Sequence, residues 1–174
     1  VPNLPVDREV NLFRGDEALK IEKCMTKAVL FLRSGIPIKE AAKIFCEKKF
    51  GALPILDNED KLIGIVSITD IFKVCLPDFV SLVDIDFIKS YGALELSIED
   101  IKRLENLVVD DIMTKDVIVV DEDCVLVRAM SLMKKHGFRH LPVLREGELV
   151  GIVSNIDICR CFLEIWEGKD FGEV

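Results

Sequence analysis

The chain has 174 residues, half of them apolar, which is enough to bury one compact core or two small ones, so a folded globular protein is expected. Acidic residues outnumber basic ones by 31 to 23, a net charge of -8, and this excludes a general nucleic-acid surface, which needs a basic stripe. No apolar run approaches the roughly 20 residues of a membrane-spanning helix and no secretory signal heads the sequence, so the expected setting is cytoplasmic, with neither nucleic acid nor membrane as partner.

Residues 1–22 read as an N-terminal extension. After Met25-Thr26-Lys27, the β-rich run "AVLFL" (28–32) predicts a strand. Ile38, Ala41, Ala42 and Phe45 then fall at i, i+3, i+4 and i+7, the apolar stripe of a helix. "LPIL", the polar turn "DNEDK" and "KLIGIVS" predict a hairpin whose apolar residues are too continuous for a sheet with one wet face, so it must be covered. Ser67 opens a second helix, "ITDIFKVC". The connector 77–109 holds the amphipathic "DFVSLVDIDFIKSYGALEL" and the helix "SIEDIKRLENLV", which Ser97 caps with Asp100 three places on. It is too apolar to be a flexible spacer.

The unit of residues 23–76 then returns over 110–166, followed by a tail, 167–174. "MTKDV" at Met113 stands 88 positions after "MTKAV" at Met25, and Leu141-Pro142 stands 88 after Leu53-Pro54. One residue is lost in the hairpin turn, and "GIVSNIDI" at Gly151 follows "GIVSITDI" at Gly64 by 87. The second unit has its own strand "DVIVV" (116–120), a helix stripe of Leu126, Ala129, Met130 and Met133 that Asp123 can cap, a hairpin, and a last helix "NIDICRCFLEIW" opened by Ser154. Each copy is β-α-β-β-α, so the fold class is α+β, and about 50 residues is marginal for a domain standing alone. Two copies facing each other bury what neither hides by itself.

The Met-Thr-Lys lead, the Leu-Pro before each hairpin, and G-I-V-S-x-x-D at the head of each last helix, in register twice, resemble the cystathionine β-synthase (CBS) domain, here as a tandem pair covering about Lys23 to Trp166. The resemblance implies a sandwich-like pair with pseudo-twofold symmetry and clefts between the repeats. It implies an adenosine-containing regulatory ligand, AMP, ADP, ATP or S-adenosylmethionine, with no obligatory cofactor. It also implies a regulated partner protein, catalysis elsewhere, and pairing as a homodimer.

Ser67 with Asp70, and Ser154 with Asp157, match a capping box, which by itself suffices to explain both pairs. A helix start also offers N–H donors to an anion, and a carboxylate there can accept from a vicinal diol such as a ribose; in the resembled family the Asp of this motif holds the ribose. The copies differ. Copy one has Thr69 where copy two has Ile156, while copy two has Arg139-His140 where copy one has Gly51-Ala52. The resemblance assigns hydroxyls at the first position to sugar and nearest phosphate and basic residues at the second to phosphate, to which the planar fork of Arg is suited. The expected principal site is therefore composite: Ser67, Thr69 and Asp70 from the first copy with Arg139 and His140 from the second. Backbone around Thr26, Lys27, Ala28 and Val29, or Thr114, Lys115, Asp116 and Val117, is expected to read adenine. Ser154 and Asp157 form a second, less complete site. Lys27 and Lys115 read more readily as surface charge.

No enzyme is expected. His136 and His140 are separated by Gly137 and make no helical metal pair, and there is no phosphate-cradling glycine loop. Cys24, Cys46, Cys75, Cys124, Cys159 and Cys161 form no C-x-x-C pair, so buried reduced thiols and no metal are expected. The alternative to a ligand sensor is a protein–protein interaction or dimerisation scaffold with empty clefts; in either case Phe72, Val74, Phe162, Ile165 and Trp166 on the last helices exceed what a small core hides and support self-association.

Overall fold

The computed structural model describes residues 18–76 and 97–168, so the amphipathic stretch 78–96 and both chain ends lie outside the described residues. Two three-stranded sheets share one topology. In chain order, the first repeat contains β1 (Leu32–Arg33), α1 (Ile38–Lys48), β2 (Ala52–Leu56), β3 (Leu62–Ser67) and α2 (Ile68–Cys75). The connector supplies α3 (Ile98–Leu104) and the short α4 (Val109–Ile112). The second repeat contains β4 (Val120–Asp121), α5 (Leu126–His136), β5 (His140–Arg145), β6 (Glu148–Ser154) and α6 (Asn155–Trp166). In each sheet the first strand runs parallel to the second, which needs the helical crossover between them, and the second and third form the hairpin.

The helices form where the apolar stripes lie. Ile38, Ala41 and Phe45 are buried from α1 and Leu126, Ala129 and Met133 from α5. Ser97 caps α3, accepting from Asp100 N–H at 3.1 Å while donating to its carboxylate at 2.7 Å. Asp123 does not cap α5: Val125 holds that position with no side-chain bond, as Pro37 does for α1. A backbone carbonyl serves in both instead, Leu19 O accepting from Leu126 N–H at 2.7 Å and Leu107 O from Ile38 N–H at 2.9 Å.

Those carbonyls belong to an exchange between the repeats. Ile21, fully buried, lies in one core with Val120, Leu126, Leu141 and Val153 of the second repeat. Val109, its counterpart 88 residues on, lies in the other core with Leu32, Phe45, Leu53 and Val66 of the first. The segment leading into each repeat is thus built into the other one, and the contacts come in matched pairs, as a pseudo-twofold axis requires. Thr26 exchanges both backbone hydrogen bonds with Ile152, at 2.9 and 3.0 Å, and Thr114 does the same with Ile65, also at 2.9 and 3.0 Å. The first strands are consequently shorter than "AVLFL" and "DVIVV" predict. Their opening residues leave the neighbouring repeat's edge before reaching their own sheet, and only Leu32–Arg33 and Val120–Asp121 are laddered.

The exchange also accounts for the repeated glycine of G-I-V-S. A Cβ on Gly64 would lie 2.3 Å from Met113 Sδ, and one on Gly151 would lie 2.4 Å from Met25 Sδ. Each Met-Thr lead therefore seats its methionine against the glycine of the other repeat, and the two sequence motifs are halves of one contact.

Candidate functional site

β3 ends at Ser67, whose extended backbone turns straight into α2 and brings the carboxylate three residues on back to the turn. Asp70 Oδ2 accepts from the Ser67 N–H at 2.9 Å and from its hydroxyl at 2.6 Å. Oδ1 accepts from the Lys73 ammonium at 2.9 Å. Asp70 is only 7% exposed, and a carboxylate that far from water is tolerated because it is paired. The Lys73 side chain is 69% exposed, and an ion pair with so wet a partner contributes about 1 kcal/mol at most.

The matching corner of the second repeat is more crowded. Asp157 Oδ2 accepts from the Ser154 N–H at 2.8 Å and from its hydroxyl, while Oδ1 accepts from Arg160 Nη1 and from the Thr26 hydroxyl, each at 3.1 Å. Both carboxylates accept from the N–H of their Ser, and at Ser154 the hydroxyl also accepts from Asp157 N–H at 3.2 Å, the reciprocal bond that Ser67 does not make.

Arg139 and His140 stand where α5 gives way to β5. Gly137 takes the left-handed conformation that ends the helix (φ 70°), and the Arg139 carbonyl accepts from Asn155 N–H at 3.1 Å. The His140 imidazole reaches across to the first repeat: a Cβ on Gly51 would lie 3.0 Å from His140 Cε1. The sequence difference at this place has a steric cause, since the bare glycine of copy one leaves the room that the histidine of copy two fills.

A cleft of about 670 Å³ lies between these corners. Ser67, Thr69 and Asp70 border it from the first repeat, and Arg139, His140, Thr114, Asp116 and Val117 from the second. The composite group foreseen from sequence therefore shares one cavity. Lys115, Thr26, Lys27, Ala28, Val29, Ser154 and Asp157 are not on its wall; Thr26 is bonded to Asp157 instead. The sequence reading missed Lys73, His136 and Phe138, all on the wall, the last two stacked with ring centroids 5.4 Å apart. Lys73 had a signal: the second copy repeats a basic residue, Arg160, three places after its Asp. His136 and Phe138 had none, because their approach to α2 depends on how the repeats face each other.

The cleft carries the carboxylates of Asp70 and Asp116 and the cations of Lys73 and Arg139. Burial of the imidazole first, and then the neighbouring Arg139 charge, hold His140 below the usual histidine value, with Asp157 opposing them. The unfolded chain therefore takes up this proton before the folded one does. The contribution of His140 to stability is complete above about pH 6.5 and is lost as pH falls from there through the lowered folded value. Urea midpoints measured between pH 7.5 and 5 should fall less steeply for His140→Gln than for the parent; equal slopes for the two would contradict the assignment. Burial also raises the thiols of Cys24 and Cys161, so neither presents a thiolate at neutral pH. Among the described residues no group of His, Cys, Asp or Glu is arranged to hold a metal, and no helix is long and apolar enough to cross a membrane.

The family model for the CBS domain matches residues 21–77 and 109–164. A 17.7 kDa protein of Acidianus ambivalens is 32% identical over 149 residues, covering 85% of this chain and 76% of that protein. Among solved structures, the CBS domain pair of MJ0100 in complex with 5′-methylthioadenosine and S-adenosylmethionine superposes with a TM-score of 0.64 at 26% identity, covering 86% of this chain and 99% of that one. CBSX2 in complex with AMP gives 0.64 at 25% identity, covering 85% and 98%. Some curated relatives are longer: the chain spans 44% of MJ1225 from Methanocaldococcus jannaschii, with 30% identity over 146 residues.

Proposed function

This chain belongs to the CBS domain family, and from that membership we propose that it is a non-catalytic regulatory module, binding an adenosine-containing molecule (AMP, ADP, ATP or S-adenosylmethionine) in the cleft between its repeats. The observation that carries the reading is the shared cleft of Asp70, Ser67 and Thr69 with Arg139 and His140, a diol acceptor and its hydroxyl neighbours facing a cationic corner. Asp70 takes the ribose hydroxyls, Ser67 and Thr69 bond sugar or the first phosphate, Arg139 and His140 hold phosphate, and the backbone of Thr114 to Val117 reads the base. The bound ligands of two structural relatives, S-adenosylmethionine with methylthioadenosine in one and AMP in the other, support the adenosine part.

The architecture supports the regulatory part. The ligand lies between two repeats whose leading segments are built into each other, so a ligand with different affinity for two arrangements of the repeats shifts their balance and passes that shift to a cytoplasmic partner. The repeats are 23–76 and 110–166, with 77–109 as a helical connector. Exposed apolar residues on α2 and α6, among them Phe72 at 59% and Trp166 at 78%, favour a homodimer; Phe162 contributes less, being packed against the core and near Trp166.

A thermal-shift titration with AMP, ADP, ATP, S-adenosylmethionine and adenosine tests the reading. A saturable rise is expected for at least one ligand, equivalent to about 2.7 kcal/mol at a hundredfold excess over Kd. Arg139→Ala should reduce the response to phosphorylated ligands and spare adenosine. No shift with any of the five would leave the ligand-free dimerisation scaffold as the function.

A further inference from the structure

The two pseudo-equivalent carboxylates differ in how much acceptor capacity they retain. An ionised carboxylate offers about four acceptor positions. At Asp157 the chain's own donors occupy all of them: the Ser154 N–H and hydroxyl, the Thr26 hydroxyl and the Arg160 guanidinium. Asp70 has three donors, because Thr114, the counterpart of Thr26, makes no hydrogen bond to it among the described residues. Of those three, both bonds to Oδ2 belong to the turn that starts α2. Only the Lys73 ammonium holds Oδ1, from an exposed side chain on the cleft wall.

A vicinal diol donates two hydrogen bonds, and Oδ1 has one position open while Lys73 stays in place. We propose that Lys73 is an exchangeable partner: the ribose diol takes Oδ1 of Asp70, and the released ammonium turns to the 5′-phosphate of the same nucleoside. This rests on the adenosine-ligand reading above and narrows it to a nucleoside 5′-phosphate. An exposed ammonium released beside Arg139 gains most from a ligand that brings an anion to that corner, and a ligand bearing a sulfonium brings charge of the wrong sign there. Adenosine, having no phosphate, displaces Lys73 without repaying the lost pair.

Calorimetric titration of the full chain and of Lys73→Gln with AMP, adenosine and S-adenosylmethionine separates the possibilities. The parent should prefer AMP. In Lys73→Gln the AMP affinity should fall by about tenfold, the loss of a charge-assisted contact, while the adenosine affinity rises about two- to fivefold because a weakly held competitor for Oδ1 is gone. Lys73→Arg should retain the AMP preference. Changes of the same sign and size for AMP and adenosine in Lys73→Gln, loss of the preference in Lys73→Arg, or tighter binding of S-adenosylmethionine than AMP by the parent would each overturn the exchange while leaving the adenosine reading intact. Failure of all three ligands to bind the parent would instead remove the adenosine reading, and the exchange with it.

Discussion

Replacing Asp70 with Asn is expected to weaken AMP binding by about 1.5–3 kcal/mol, the worth of hydrogen bonds to a charged acceptor, while the folded state loses only about 1 kcal/mol. The separation follows from the division of labour at the carboxylate. Oδ2 serves the turn from Ser67 into α2, and an Asn oxygen can keep those bonds; Oδ1 is the atom that faces an exposed donor, Lys73. Asp157→Asn should behave in the opposite way. Its carboxylate is filled by donors from Ser154, Thr26 and Arg160, one of which ties the leading segment of the first repeat to the second, so stability falls and AMP affinity does not. Isothermal titration and urea unfolding on both variants give the comparison. If Asp70→Asn lowered the unfolding midpoint and left the affinity of the folded fraction unchanged, Asp70 would be a helix cap and nothing more.

Ile21→Ala should destabilise the protein by about 2–5 kcal/mol, the range for truncating a fully buried aliphatic side chain. The repeated sequence pattern, which starts at Lys23, does not include this residue. In the fold it is 0% exposed, shares a core with Leu126, Leu141 and Val153 of the second, and donates its N–H to Cys124 O at 2.9 Å. Unfolding in urea monitored by the fluorescence of Trp166, the single tryptophan, which sits at the end of the second repeat's last helix, is the direct measurement. A loss below about 0.5 kcal/mol, the scale of an ordinary surface substitution, would mean that the leading segment is not part of that core.

The same exchange governs how stability and ligand response are connected. The Met25–Gly151 and Met113–Gly64 contacts and the strand-edge pairs Thr26–Ile152 and Thr114–Ile65 all cross between repeats. The bordering segment Thr114 to Val117 runs directly from one of these pairs to the cleft wall. A ligand that draws Asp70 and Arg139 together therefore acts on the backbone that joins the two cores.

Much of this architecture is legible in the order of residues. The helix of Ile38, Ala41 and Phe45 and that of Leu126, Ala129 and Met133 follow from a period near 3.6, the hairpins from Leu-Pro and the polar turns that follow, and the starts of α2, α3 and α6 from Ser with Asp three places on. These are local signals, because a side chain's periodicity and a cap's hydrogen bonds involve residues within one or two turns of each other. Reading two copies against one another also separated the hydroxyl corner of the first from the cationic corner of the second.

What the tertiary structure alone decided is which copy each segment serves. Nothing near Ile21 or Val109 marks them as core of the opposite repeat, and nothing in "AVLFL" or "DVIVV" marks where the chain stops pairing with its neighbour and joins its own sheet. The carbonyl of Leu19 caps the helix that Asp123 was expected to serve and that of Leu107 caps α1, from 107 and 69 positions away along the chain. His136 and Phe138 line the cleft with α2 only once the repeats face each other across Gly51 and His140, whereas Lys73 meets Asp70 within one turn of α2. Sequence pattern records what a residue needs, burial or a bond partner; which distant residue meets the need is settled by long-range packing, where a duplicated chain can satisfy either copy with the same local signals.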